Sequence, residues 1–228
     1  MTEKGKLYLV PTPIGNLEDI SLRAINILKF VDIIACEDTR NTGKLLKLLE
    51  ISNKKLITYH NFNEQNSSKG IIELLIEGKN VALVSDAGYP LISDPGYHLV
   101  KNINENNLQI ISLPGSSALI PALVSSGFET NSFLFLGFPP AKKGRKTFLS
   151  DAINYRHTIV LYESPHKIIR LLKELAELLE PNRKVSISRE ISKIHEEHIQ
   201  DFPLKIVEYL EKNNKVKGEF VVVIESKK

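Results

Sequence analysis

Short apolar runs recur along this chain, each followed by a polar or Gly/Pro-rich turn and then by apolar residues at helical spacing. Runs at residues 6–10, 32–36, 55–59, 81–84, 109–113 and 132–136 predict strands, and a second series at 158–162, 184–188 and 219–224 follows. Residues 81–84, Val-Ala-Leu-Val, carry no polar position, which suits a strand buried on both faces of a parallel sheet. Between the strands, Leu22, Ile25 and Leu28, then Leu45, Leu46 and Leu49, then Ile71, Ile72 and Leu75 repeat at the helical period. Asn16 or Ser21 is placed to cap the first helix, Ser68 to begin the third and Gly78 to stop it. Further helices are expected over 97–104, at Pro121, over 165–179 and near Ile206. Such alternation predicts an α/β protein of two layered α/β domains with a ligand cleft between them. The pattern changes register near Phe138, which sets the expected domains at 1–137 and 138–228.

The strand ends hold the candidate chemistry. Residues 81–84 run into Ser85-Asp86-Ala87-Gly88 and then Tyr89-Pro90 and Asp94-Pro95-Gly96, a long, stiff loop of small residues. In open α/β sheets, ligands bind beyond the carboxyl ends of the strands, where loop backbone groups are free and small side chains allow close approach. The first strand ends in Pro11-Thr-Pro-Ile-Gly-Asn16, and the fifth in Pro114-Gly-Ser-Ser-Ala118, whose free N–H groups opening a helix would welcome a carboxylate. The second delivers Glu37, Asp38, Thr39 and Arg40 to the same end, as a site or, more simply, as a helix cap. His60 ends the third, and Glu163-Ser-Pro-His-Lys167 ends another while also making a good helix start.

Composition narrows this picture. With 228 residues, 42% apolar and 25% charged, the chain is globular. It has no apolar run long enough to span a membrane and no secretory leader, and its one cysteine, Cys36, fits a reducing compartment. A net charge of +3 permits a nucleic-acid partner without requiring one. The glycine fingerprints of dinucleotide, triphosphate and serine-hydrolase sites are missing. His195-Glu-Glu-His198 is one residue short of zincin spacing and reads as exposed surface, so no metal is expected. Lys142, Lys143, Arg145 and Lys146 form a basic cluster that either neutralises phosphates or is simply solvated.

Taken together, residues 7–20, Ala35-Cys-Glu-Asp-Thr-Arg40, 81–88, Leu91-Ile-Ser-Asp-Pro-Gly96, 113–118, Lys142-Lys-Gly-Arg145, Tyr162-Glu-Ser-Pro-His-Lys167 and Gly218-Glu-Phe-Val221 resemble, in order from first strand to last, the ribosomal RNA small subunit methyltransferase I family. That family is a branch of the tetrapyrrole-methylase-like, class III methyltransferases. The resemblance implies a cytoplasmic homodimer that uses S-adenosylmethionine to methylate the ribose 2′-hydroxyl of a cytidine in the decoding region of 16S ribosomal RNA within the small subunit. It implies a donor wall of Pro13, Gly15, Ser85, Asp86, Ala87, Gly88, Ile92, Ser93, Ser116 and Ser117, closed by Tyr162, Ser188 and Gly218. A ribose hydroxyl must lose its proton as it attacks, and Glu37, Asp38 and His60 are the candidate acceptors, Glu37 first. Arg40 would hold a phosphate beside the target. Three residues depart from the family pattern: Tyr89 where Thr is common, Ser116 where Pro is frequent and Phe62 where His is usual. Longer relatives continue into a small basic domain, whereas this chain stops at Lys228, which shifts the expected RNA contact to Arg40, Lys142, Lys143, Arg145 and Lys146. The alternatives are a tetrapyrrole or other small-molecule methylase of the same fold, and a non-catalytic ribosome-assembly module.

Overall fold

A computed structural model describes residues 3–60 and 64–227. Two compact units divide the chain, Met1–Ser117 and Ala118–Lys228.

The first unit alternates strand and helix: β1 (Lys6–Leu9), α1 (Leu22–Phe30), β2 (Ile33–Cys36), α2 (Thr39–Leu48), β3 (Lys55–Thr58), α3 (Glu64–Ile76), β4 (Val81–Val84), α4 (Tyr97–Glu105) and β5 (Gln109–Ser112). The five strands form one parallel sheet in the order β3-β2-β4-β1-β5. Because side chains alternate across a strand, each apolar run feeds two cores. Leu7, Leu9, Ile33, Ala35, Val81 and Leu83 face Ile71 and Leu75 of α3 and Leu99 and Ile103 of α4. Tyr8, Val10, Ile34, Cys36, Ala82 and Val84 face Ala24 and Leu28 of α1 and Leu46 of α2. Ser21 caps α1 by accepting the Ala24 N–H at 3.0 Å, and Asn16 caps a short turn, Leu17–Asp19, by accepting from Glu18. Burial without polar interruption is thus what the continuous 81–84 run encodes, and both covering layers are in place.

The second unit contains α5 (Leu119–Ser125), β6 (Phe133–Gly137), α6 (Arg145–Ile153), β7 (Thr158–Glu163), α7 (Ile168–Leu178), β8 (Val185–Arg189), β9 (Glu197–Asp201), α8 (Pro203–Lys212) and β10 (Phe220–Ile224). Its sheet is mixed, in the order β6-β7-β10-β8-β9, with only β6 and β7 parallel. Leu171, Leu172 and Leu175 of α7 and Ile206 and Leu210 of α8 bury one face of it against Ile159, Leu161, Ile187 and Val222.

Three sequence expectations differ from this arrangement. The division expected near Phe138 falls instead between Ser117 and Ala118, because β6 pairs in parallel with β7 and belongs to the second sheet. Helix α3 starts at Glu64, before Ser68. Edge strand β9 is not expected from the sequence, because polar residues such as Glu197, Gln200 and Asp201 suit an edge and mask the strand pattern, while His195, Glu196 and His198 are exposed as expected.

Leu83 lies at the centre of the parallel sheet and is almost wholly buried. Leu83→Ala is expected to lower the unfolding free energy by ~2–5 kcal/mol, seen as an earlier urea midpoint at unchanged m-value; a wild-type midpoint contradicts the packing described.

Candidate functional site

In the first unit, β1 and β4 are neighbours, yet β1 leads to α1 on one face of the sheet and β4 leads to α4 on the other. Their loops therefore part at the carboxyl edge, which is the switch point where open α/β sheets leave a crevice. Backbone bonds hold that crevice in shape. The Thr12 N–H donates to Gly88 O and the Gly88 N–H donates to Thr12 O, both at 2.9 Å. Thr12 Oγ1 donates to Ser85 O at 3.0 Å, and Ser85 Oγ donates to Gly88 O at 3.0 Å.

The loop after β5 joins the same frame. Gly88 has φ +80°, and a Cβ there would lie 3.2 Å from Ile14 Cγ2 and 3.9 Å from Ser116 O, so the three loops meet at this residue. A Cβ at Gly115 would meet Pro11 at 2.8 Å, which only glycine avoids. Ser116 Oγ donates to Asp19 O at 3.0 Å, and Tyr89 OH donates to Leu113 O at 2.6 Å. Two departures from the family pattern are therefore ties between loops. Pro13, Ile92 and Ser117 are half-buried here, while Gly15, Asp86, Ala87 and Ser93 are exposed. Leu91 and Ser93 both hold positive φ, at 72° and 66°, in the loop that carries Asp94.

Carboxylates gather along the neighbouring strand ends. Asp86 accepts from the Asp38 N–H at 3.3 Å and from Asn41 Nδ2 at 2.9 Å. Burial raises the Glu37 carboxyl above its ordinary value, the Asp86 charge adds to this, and His60 acts in the opposite sense. Asp94 is pushed up to about 7 by burial and then by the charges of Glu37 and Asp86, while the Ser85 hydroxyl offsets part of the shift. Asp38 behaves differently. Its carboxylate caps α2 at the Arg40 N–H (2.8 Å) and pairs with Arg40 Nη2 (2.7 Å), and these hydrogen bonds lower it to about 2. A carboxylate so occupied is a poor proton acceptor, which favours the cap reading for Asp38. Asp94 was not singled out from sequence, although Asp94-Pro95-Gly96 marked its turn. The expectation at Phe62 lies outside the described residues.

The remaining expected residues sit in the second unit. Lys142, Lys143 and Lys146 are exposed, but Arg145 is 1% exposed and cannot serve as a phosphate contact. Its guanidinium donates to Glu174 Oε2 at 2.7 Å, to Glu163 Oε2 at 3.1 Å and to Pro140 O at 3.2 Å. Tyr162 is half-buried among aromatic rings. Ser188 is fully buried with its Oγ 2.8 Å from His198 Nδ1, and Gly218 lies against the Glu190 side chain. His198 Nε2 in turn contacts Glu196 Oε1 at 3.0 Å. Among the described residues, no group of His, Cys, Asp and Glu is arranged to hold a metal ion, and no helix is long and apolar enough to cross a membrane.

Comparison with known proteins places this geometry in context. A family model described as Tetrapyrrole (Corrin/Porphyrin) Methylases matches residues 6–206. A protein from Hydrogenobaculum sp. (strain Y04AAS1) named Ribosomal RNA small subunit methyltransferase I is 48% identical over 223 residues, covering 96% of this chain and 95% of the relative. One of the same name from Bacillus subtilis (strain 168) is 43% identical over 225 residues, covering 98% of this chain and 76% of the relative. Among solved structures, a uroporphyrin-III-C-methyltransferase from Thermus thermophilus aligns with TM-score 0.67 at 18% identity over 97% of this chain and 94% of that one. A cobalt precorrin-4 methyltransferase aligns with TM-score 0.66 at 15% identity over 96% of this chain and 94% of that one, a likeness of fold.

Two predictions follow from the charges. In the unfolded chain the Asp94 carboxyl ionises near 3.8, whereas the folded protein keeps its proton to about 7. The folded state thus binds more protons in that window, and stability falls as pH rises through it. Asp94→Asn is expected to match wild type in thermal melting near pH 4 and to exceed it increasingly up to neutrality; equal melting at pH 8 contradicts the shift. Removing Arg145 leaves Glu163 buried without its partner, so Arg145→Ala should cost ~3–5 kcal/mol in a urea titration, against near-zero change if the side chain were solvated.

Proposed function

The chain belongs to the tetrapyrrole methylase family, among relatives named Ribosomal RNA small subunit methyltransferase I, and we propose that it methylates the ribose 2′-hydroxyl of a cytidine in 16S ribosomal RNA. Methyltransferases of this family use S-adenosylmethionine. The observation that carries the reading is the clasp of three loops around Gly88 at the β1/β4 switch point, in a chain with relatives of that name along nearly its whole length.

The residues present fit such a donor. Gly88 and Gly115 keep Cβ atoms out of the corner where the loops meet, and Pro13, Gly15, Ser85, Asp86, Ala87, Ile92, Ser93, Ser116 and Ser117 would form its wall. When bound, the donor supplies an electrophilic methyl on a sulfonium, transferred by in-line displacement. The protein's part is chiefly to align the incoming hydroxyl, which is where much of the rate gain of such a reaction arises. Glu37 takes the hydroxyl proton. Burial and the Asp86 charge raise the proton affinity of Glu37, which suits a general base better than an ordinary exposed carboxylate would. Arg40, whose side chain is 84% exposed and is steadied by Asp38, offers a guanidinium to a neighbouring phosphate. Lys142, Lys143 and Lys146 add positive charge for the RNA backbone.

Tritiated methyl transfer to purified small subunits and to naked 16S RNA, followed by mapping, is expected to label one cytidine at its 2′-oxygen. Absence of label on either RNA, or transfer to a porphyrin or corrin instead, overturns the reading. Glu37→Gln should slow single-turnover transfer by ~10²–10⁴-fold while the donor still binds by calorimetry; a full single-turnover rate removes Glu37 from the role of base.

A further inference from the structure

The strand β6 ends in Gly137 after an irregularity in its pairing with β7 between Phe135 and Gly137, and the next residue is Phe138. That ring is 56% exposed. It is not loose. Its centroid lies 5.6 Å from that of Tyr162 at an interplanar angle of 65°, and Tyr162 in turn meets Phe135 at 4.9 Å and 66°. A T-shaped contact leaves at least one face of the Phe138 ring uncovered by Tyr162.

The loop that follows is rigid and basic. Pro139 is buried, and Pro140 O accepts from buried Arg145, so the segment is held from inside the unit. Lys142 and Lys143 project from it into solvent, as does Lys146 from the first turn of α6, and among the described residues none of the three forms an ion pair. The nearby carboxylates Glu163 and Glu174 are already neutralised by Arg145 and Arg170. An exposed aromatic residue by itself needs no explanation. A supported ring on a stiff loop rimmed by unpaired lysines has the composition of a single-stranded nucleic-acid platform, where a base stacks on the ring and the cations take the phosphates.

We infer that Phe138 is a stacking platform for an unpaired base of the RNA, with Lys142, Lys143 and Lys146 contacting the flanking phosphates. This rests on the proposed reading of the chain as an RNA methyltransferase and adds a contact for the RNA base to it.

The test uses the full chain, a short fluorescein-labelled single-stranded RNA and an abasic ribose-phosphate backbone of the same length. Phe138→Ala is expected to weaken RNA binding roughly 5- to 150-fold, to leave affinity for the abasic backbone unchanged and to melt like wild type. Its salt slope should also match wild type, whereas Lys142→Ala or Lys143→Ala should each reduce the slope by about 0.7. Phe138→Tyr should retain the affinity. The chain has no tryptophan, so Phe138→Trp introduces a single reporter whose fluorescence should be quenched by the RNA and not by the abasic backbone. Wild-type RNA affinity in Phe138→Ala, or an unquenched Phe138→Trp, overturns the platform. So does a change in the oligomeric state of Phe138→Ala by analytical ultracentrifugation, which would assign the ring to an interface between copies. Failure of wild type to methylate small-subunit RNA would defeat the functional reading instead, and methylation by wild type with unchanged RNA binding by Phe138→Ala would defeat the platform alone.

Discussion

The reciprocal hydrogen bonds between Thr12 and Gly88 are the constraint on which the site depends. They form an isolated antiparallel bridge just beyond the parallel β1/β4 pairing, at the point where the two strands send their chains to opposite faces. Thr12 and Ser85 are buried there, and buried backbone groups must find partners. Supplying those partners from the neighbouring loop frees Asp86 and Ala87 to face solvent on a fixed backbone. The conformation demands glycine at position 88, since φ is +80° and Ile14 already occupies the adjacent space. A loop that lacked this clasp would have the same residues and no fixed corner for them to line.

Charge is managed in two opposite ways in the two units. In the first, burial and the Asp86 charge raise the proton affinity of Glu37, and burial with the charges of Glu37 and Asp86 brings Asp94 to about 7, so a positive ligand beside Glu37 and Asp94 would favour their ionised forms. That arrangement carries an energetic penalty in the absence of a ligand and is the kind of environment that a reactive site uses. In the second, the buried Arg145 is matched by Glu163 and Glu174, so its charge is committed to holding α6, β7 and the preceding loop together. Buried pairs of this sort add little net stability over an apolar core, yet they are costly to break, which makes them effective anchors for the exposed lysines beside them.

Much of the first unit was legible in the chain because period-two and helical patterns are strong where both sheet faces are covered. The strand at 81–84, the Ser21 cap and the gathering of polar strand ends all follow from local chemistry. What failed depends on contacts distant in sequence. Arg145 sits in a basic run that reads as exposed, whether to phosphates or to solvent, and only its meeting with Glu163 on β7 and Glu174 on α7 shows otherwise. The unit boundary turns on which strand β6 pairs with, and its apolar run is equally consistent with either sheet. Edge strand β9 has too many polar residues to announce itself. Asp94 gains its significance from its burial and from the charges of Glu37 after β2 and Asp86 in its own loop, so its turn motif alone could not reveal its altered proton affinity.

Hydrogen exchange with and without S-adenosylmethionine probes the central idea most directly, because it reports on every loop amide at once and requires no substitution. Slower exchange is predicted together at residues 12–15, 85–88 and 115–117, the segments that converge on Gly88. Unaltered exchange in these segments at saturating donor, or protection confined to other parts of the chain, would contradict the account.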